Sequence, residues 1–263
     1  MTDTPTLRAK ALSREPVVGC MVSTASPWLT EMAALAGFDF VTLDLEHEPI
    51  TDESAGSFIR TCDAAKVPSI VRVPFGDRIQ RLLNIGASGI QVPGMNSAVA
   101  VRDLVRETRF HPIGRRAFTA STRSADYGRR GDEQAYFQRA NANLFVIAMI
   151  EDVRALDELD EILAIEGIDA IHIGPGDLAQ SMGFPPRDEV AEVIDEIISR
   201  SVQAGRVVGA GAYAGVGTDM LVRQKENGVS LFTVVLNRLL AQYLADVHGT
   251  VRAAVSSDSD RSP

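Results

Sequence analysis

Lysine and cysteine are both scarce in this 263-residue chain: lysine occurs only at Lys10, Lys66 and Lys225, and cysteine only at Cys20 and Cys62. Two cysteines in different elements, with no CxxC pair, provide neither a disulfide framework nor a cysteine zinc site, and both read as small buried apolar residues. Long apolar runs are missing as well. None approaches the ~18 residues of a membrane span, and residues 1–14 are polar with no signal-peptide core, so the chain reads as soluble and cytoplasmic. Positive charge is in deficit: 26 Lys and Arg against 35 Asp and Glu leave a net charge of −9. A nucleic acid or an anionic membrane needs a basic surface to offset its phosphates, so neither is an expected partner. Residues 256–263 carry nothing apolar to bury and read as a disordered tail after a single domain over 1–255.

What is present is a length and a 45% hydrophobic content that suit one large buried core. Short β-rich apolar runs alternate with longer helical patterns from end to end, the signature of βα units and a parallel sheet. Eight strands are expected, at 17–22, 38–44, 69–73, 89–92, 144–151, 170–173, 207–210 and 231–235. Helices follow them, among others at 28–37, 98–109 and 190–204. Asp52 and Asp77 stand where helix starts need caps, and Gly37, Gly86, Gly205 and Gly228 stand where helices end. Eight such units favour a closed (βα)8 barrel, the TIM barrel, over an open doubly wound sheet. Residues 110–143, between the fourth and fifth strands, form a long excursion that reads as a lid or a subunit contact.

In such a barrel the chemistry sits where the strands end. The second strand closes with Asp44-Leu-Glu46-His47, the third with Arg72, the fifth with Glu151, and the sixth leads through Gly174-Pro175-Gly176 to Asp177. Glu151 and Asp177 are hard oxygen donors from neighbouring strands, suited to Mg²⁺ or a similar ion with positions left open for substrate and water. His47 is a candidate acid or base, because an imidazole titrates near neutral pH, with Asp44 and Glu46 placed to orient it or to hold water. Arg72 offers fixed donors to a carboxylate or a developing oxyanion, or else pairs with Glu46 or Glu151. Gly174-Pro175-Gly176 and Asp177 read as a tight turn into a helix start, whose free N–H groups suit an anion.

Other features carry less. His111, His172 and His248 read as structural or surface residues, and Gly209-Ala-Gly211-Ala-Tyr-Ala214 matches a GxGxxA dinucleotide pattern without its acidic partner. None of the three lysines falls at a strand end, so Schiff-base chemistry has no candidate residue. If the barrel stabilises a carbanion, a metal ion is the remaining electron sink.

The segments Phe38-Asp-Phe-Val-Thr-Leu-Asp-Leu-Glu-His-Glu-Pro49, Ile70-Val-Arg-Val-Pro74, Met149-Ile-Glu151 and Ile173-Gly-Pro-Gly-Asp-Leu178 together resemble the HpcH/HpaI family of metal-dependent pyruvate aldolases. The likeness runs from Pro16 to Ala241 and includes Phe110-His-Pro-Ile-Gly-Arg-Arg116 and Ser181-Met-Gly183. It implies the phosphoenolpyruvate/pyruvate-binding barrel, a trimeric or hexameric homo-oligomer, and a C-terminal helix, here 237–254, exchanged between subunits. It assigns a divalent cation (Mg²⁺, Mn²⁺ or Co²⁺) to Glu151 and Asp177, the base role to His47, stabilisation of the enolate to Arg72, and the oxoacid carboxylate to the amides around Gly176 and Asp177. The implied reaction is cleavage or formation of a carbon–carbon bond in a 4-hydroxy-2-oxoacid through a pyruvate enolate, with an aldehyde as the other partner. An oxaloacetate decarboxylase, or a biosynthetic enzyme joining the same enolate to another acceptor, is the alternative; a barrel that binds oxoacid without turnover is a third. Three positions depart from the family pattern: Asn84 replaces an Asp that partners the catalytic His across a subunit boundary, Met149 stands where some members have Gln, and Val234-Val-Leu-Asn237 replaces a VGxD stretch.

Overall fold

The computed structural model describes residues 5–129, 131–212 and 217–256. Its eight strands, β1 (Val17–Val22), β2 (Phe40–Asp44), β3 (Ser69–Arg72), β4 (Gly89–Val92), β5 (Phe145–Ile150), β6 (Ala170–Ile173), β7 (Val207–Ala212) and β8 (Leu231–Val235), pair in parallel in chain order and close into a barrel. The (βα)8 barrel expected from the alternating pattern is therefore the fold. The strand bounds agree with those expected to within a residue or two. The strand expected from 38 starts at Phe40, because the Asp39 carboxylate turns to accept from the Val18 N–H (2.8 Å) and from Lys10 (2.5 Å).

Eleven helices surround or close the described barrel: α1 (Leu7–Leu12), α2 (Pro27–Leu35), α3 (Asp52–Ala64), α4 (Arg78–Ile85), α5 (Ala98–Thr108), α6 (Glu133–Asn143), α7 (Leu159–Ala164), α8 (Pro175–Ser181), α9 (Arg187–Gln203), α10 (Thr218–Glu226) and α11 (Leu236–Ser256). Strand residues alternate between two cores. Ile171 and Ile173 pack outward against the helices, whereas Ala170 joins Phe40, Ile70, Ile147, Val207 and Leu231 inside the barrel. Leu7 and Ala11 of α1 complete that inner cluster and plug the N-terminal end. The opposite end, where the strands finish, stays open.

Helix ends follow the punctuation with two corrections. Gly86 closes α4 at φ 111°, and Gly37, Gly205 and Gly228 also take positive φ after their helices. The cap of α3, however, is Thr51, whose hydroxyl accepts from the Ser54 N–H (3.2 Å). Asp52 is the first helical residue and instead binds Arg78 and Arg81, each at 2.7 Å. Asp77 occupies the cap position of α4 without a side-chain capping bond.

The excursion over 110–143 does not cover the mouth of its own barrel. It links the end of α5 to the start of β5, both at the N-terminal face, and stays there: Arg123 donates to the Ile85 carbonyl (3.0 Å) and pairs with Asp63 (2.5 Å). An aromatic cluster of Phe110, Phe118, Tyr136 and Phe137 holds it together. Beneath it Arg109, 1% exposed, donates to Asp169 (2.6 Å) and to the carbonyls of Gly167, Asn141 and Leu144.

Helix α11 contains no buried residue. Leu240, Tyr243, Leu244, Val247, Val251 and Val255 are exposed at spacings of three and four, one apolar stripe facing away from the barrel. The helix is described through Ser256, the first residue of the segment expected to be a tail; the rest of that tail, 257–263, lies outside the described residues. No described helix is long and apolar enough to cross a membrane.

Candidate active site at the barrel mouth

Parallel register brings the charged strand ends to one rim. Asp44 is paired with Arg72 across β2 and β3, and Met149 with His172 across β5 and β6, which sets Glu151 and Gly174 side by side two residues further on. A cavity of about 280 Å³ descends from this rim into the barrel, lined among others by Asp44, His47, Arg72, Glu151 and Asp177. A shallower recess of about 570 Å³ continues outward from the same His47, Glu151 and Asp177 toward Gly94, Asn96 and Ser181. The structure thus brings together every site residue expected from the sequence.

Arg72 is fixed by Asp44. Its Nε donates to Asp44 Oδ1 (3.0 Å) and its Nη2 to Oδ2 (2.6 Å), a two-pronged pairing with Glu46 Oε2 a further 3.4 Å from Nε. Of the expected ion-pair partners, Glu46 and Glu151, Glu46 is present at 3.4 Å, while the register adds Asp44 as the two-pronged partner. Burial alone would raise the Asp44 carboxyl, but the hydrogen bonds and charge of Arg72 outweigh it and hold the group below its ordinary value. Asp44 Oδ1 also accepts the Glu46 N–H (3.0 Å), so it shapes the turn that carries His47. Asp44 therefore orients Arg72 and this turn, and the His47 ring lies instead beside Glu46, with Nε2 3.6 Å from Oε2. His47 is well exposed, with 62% of its side chain accessible at the open side of the mouth.

Glu151 stands on the opposite side of the cavity. Its Oε2 accepts the Gly94 N–H (3.1 Å) from the loop after β4, a contact that the sequence did not signal beyond a Pro-Gly pair at a strand end. Burial raises its carboxyl above the ordinary range, and the charges of Glu46 and Asp177 add to this against the opposing Gly94 N–H and Arg72. Glu46 is raised as well, first by burial. Three carboxylates crowded into a partly dry mouth favour a cation there. Among the described residues no group of three or more His, Cys, Asp or Glu side chains converges into a metal cage of its own. The pair Glu151 and Asp177 suits an ion of the Mg²⁺ type, which is commonly held through one or two carboxylates with water and substrate completing its shell.

Gly174 is required by this arrangement, since a Cβ there would lie 2.5 Å from Glu151 Oε1. Pro175 opens α8, and the helical ladder begins only with the Leu178 N–H on the Gly174 carbonyl (3.0 Å). The N–H groups of Gly176 and Asp177 precede that ladder and have no intrahelical acceptor. Met149 accepts a hydrogen bond at Sδ from Gln91 Nε2 (3.1 Å), so the neighbouring strand β4 supplies a carboxamide beside it. Asn84 lies on α4, outside this cavity, and accepts from Arg116 Nη2 (3.2 Å). No lysine reaches the mouth lining. Cys20 and Cys62 are buried, as expected, and burial raises both thiols, Cys20 to about 11.

Sequence reasoning set His172 aside, yet it lines the cavity floor, as do Gln91 and Thr233. Of the GxGxxA pattern, Gly209 and Gly211 are inward-facing residues of β7 rather than part of a phosphate-binding turn, while Tyr213 and Ala214 lie outside the described residues.

Known proteins share this fold and part of this sequence. The HpcH/HpaI aldolase/citrate lyase profile matches residues 17–230. The chain is 34% identical over 211 residues to a hydroxypyruvate/pyruvate aldolase of Roseovarius nubinhibens, covering 78% of this chain and 81% of that protein. It is 32% identical over 247 residues to a 2-keto-3-deoxy-L-rhamnonate aldolase of Klebsiella pneumoniae, covering 89% and 91%. Among solved structures, an HpcH/HpaI aldolase from Desulfitobacterium hafniense superposes with a TM-score of 0.86 at 29% identity over 95% of this chain and 97% of that one. The citrate synthase SbnG superposes with a TM-score of 0.84 at 28% identity over 95% and 98%. With its barrel, its rim residues and a match over most of its length, this chain belongs to the HpcH/HpaI aldolase/citrate lyase family.

Proposed function

We propose that this protein is a divalent-metal-dependent aldolase, a carbon–carbon lyase that cleaves or forms the bond between C3 and C4 of a 4-hydroxy-2-oxoacid, with pyruvate and an aldehyde as the two fragments. The observation that carries the reading is the placement of Arg72, Glu151 and Asp177 around one cavity with His47 at its open side. The relatives named above, a hydroxypyruvate/pyruvate aldolase and a 2-keto-3-deoxy-L-rhamnonate aldolase, are aldolases of 2-oxoacids.

Glu151 and Asp177 would hold the ion, Mg²⁺, Mn²⁺ or Co²⁺, whose contribution when bound is to polarise the 2-oxo group as a Lewis acid. The amides of Gly176 and Asp177 receive the substrate carboxylate. His47 takes the proton of the 4-hydroxyl, the C3–C4 bond breaks, and the electron pair passes onto the 2-oxo oxygen as the aldehyde departs. Arg72, pinned by Asp44, presents its remaining N–H donors to that oxygen as charge grows. A proton delivered to C3 yields pyruvate, and the reverse sequence gives aldol addition. Glu46, beside His47, supports the imidazolium formed on the way.

The reading extends to assembly. The uncovered apolar stripe of α11, together with exposed Trp28, Met32 and Leu35 on α2, fits a homo-oligomer, trimeric or hexameric, in which α11 packs against a neighbouring subunit.

The reading is tested by incubating the protein with 2-keto-3-deoxy acids and, separately, with oxaloacetate in the presence of Mg²⁺, Mn²⁺ or Co²⁺. Stoichiometric pyruvate and aldehyde are expected from the former. The likeness to SbnG supplies a second reading, in which the enolate of oxaloacetate is decarboxylated or joined to another acceptor. Carbon dioxide or a condensed product, without aldehyde from any hydroxyoxoacid, would favour that second reading.

A further inference from the structure

The floor of the mouth is made of polar side chains that the cleavage chemistry leaves unused. His172 on β6 is 6% exposed and Thr233 on β8 is 3% exposed, and both line the chamber beneath Glu151 and Asp177. Neither ring nitrogen of His172 closes a well-formed hydrogen bond among the described residues, and neither does the Thr233 hydroxyl; the adjoining Ile173 backbone approaches the imidazole without completing one. Buried polar atoms are nearly always satisfied by protein, water or ligand, so unsatisfied atoms facing one chamber mark a place where something polar binds.

Two glycines of β7 stand beside these groups. Gly209 is the cross-strand partner of His172 and Gly211 that of Thr233. A Cβ at 209 would lie 2.7 Å from His172 Cδ2, so the imidazole has its place only because that position is glycine.

The charge on the floor decides what suits it. Burial first, and the charge of Arg72 second, bring His172 down to about 4, which leaves the ring neutral at pH 7 with one N–H donor and one acceptor. Met21, Gln91 and Thr233 beside it carry no formal charge. A hydroxyl, which also donates and accepts, matches a neutral imidazole next to a threonine. A second carboxylate would meet Asp44, Glu151 and Asp177 in the same chamber, whose cations are Arg72, paired with Asp44 and turned to the 2-oxo oxygen in the proposed reaction, and Arg238 of α11.

We propose that His172 and Thr233 select for an oxoacid that carries a hydroxyl at C3, hydrogen-bonding that hydroxyl at the floor of the chamber while the carboxylate and 2-oxo group are held above. This rests on the oxoacid-binding reading of the mouth and adds the substituent that the mouth prefers. When C3 bears only hydrogen, water occupies the place of the hydroxyl. One or two such hydrogen bonds correspond to a preference of about tenfold.

The test is calorimetric titration of hydroxypyruvate and of pyruvate, with Mg²⁺ present, into the wild-type protein and into His172→Phe, His172→Gln and Thr233→Val. The same ratio is read independently as the rates of addition of the two oxoacids to D-glyceraldehyde. The hydroxypyruvate-to-pyruvate preference is expected to fall about tenfold in His172→Phe and severalfold in Thr233→Val, and to recover in part in His172→Gln, which keeps a donor and an acceptor. Thr233→Val is isosteric and keeps the test decisive where His172→Phe disturbs the barrel, which thermal melting reports. A ratio that moves less than twofold in both Phe and Val variants overturns the assignment while leaving the oxoacid reading intact. Failure of wild-type protein to bind either oxoacid overturns both.

Discussion

Arg72 and Asp44 form a two-pronged ion pair at the barrel mouth, with Nε to Oδ1 at 3.0 Å and Nη2 to Oδ2 at 2.6 Å. The pair is almost buried, with side-chain exposures of 15% and 6%, and it sets both the guanidinium at the cavity wall and the turn bearing His47.

Asp44→Asn should therefore lower kcat/KM by more than tenfold and destabilise the fold by about 3 kcal/mol at neutral pH, the scale for breaking one side of a buried pair. The pH dependence has a defined sign. The folded carboxyl lies below its unfolded value, so its contribution is complete above about pH 4 and is lost as pH falls through the folded value. Urea unfolding of wild type and variant should show a stability gap that is constant from pH 5 to 8 and narrows below pH 4. A gap that widens on acidification would contradict the assignment.

At the opposite end, Arg109 ties Asp169 and three backbone carbonyls together in the interior. Asp169 retains Arg8 (2.9 Å), but the carbonyls have no substitute. Arg109→Met is expected to cost about 3–5 kcal/mol in denaturant unfolding, with the affinity of the mouth for metal unchanged in whatever fraction stays folded.

Gly174 takes an ordinary negative φ of −98°, so alanine there meets no backbone strain, only the Glu151 carboxylate 2.5 Å away. Gly174→Ala should weaken Mn²⁺ binding at least tenfold, as read by the paramagnetic signal of free Mn²⁺, while circular dichroism stays that of the parent. Unaltered Mn²⁺ affinity would remove Glu151 from the ion site.

The stripe on α11 predicts that Leu244→Glu shifts the protein to smaller species in light scattering after size exclusion, because a carboxylate would be desolvated in the proposed contact. A monomeric wild type would remove the basis for that contact.

Much of this architecture was readable from the sequence because it depends on local pattern. Apolar runs bounded by turn residues located all eight strands, and polar residues at their ends named the rim from Asp44 to Asp177. What escaped was set by cross-strand register. Arg72 meets Asp44 and not Glu151 because β2 and β3 pair at those residues, and Gln91 reaches Met149 from the adjoining strand. His172 read as a filler of its strand, since the room for its ring depends on Gly209 of the next strand. Thr51 took the cap expected of Asp52 because two arginines on α4 claimed that carboxylate.

The central claim, an ion held by Glu151 and Asp177 beside a catalytic His47, is tested most directly by measuring pyruvate release from a 4-hydroxy-2-oxoacid together with Mn²⁺ binding in wild type, Glu151→Ala and His47→Ala. The account predicts activity that a chelator abolishes and added Mg²⁺ or Mn²⁺ restores, loss of both binding and turnover in Glu151→Ala, and retained Mn²⁺ binding with turnover reduced at least a hundredfold in His47→Ala. Chelator-insensitive turnover, or full activity in His47→Ala, would contradict it.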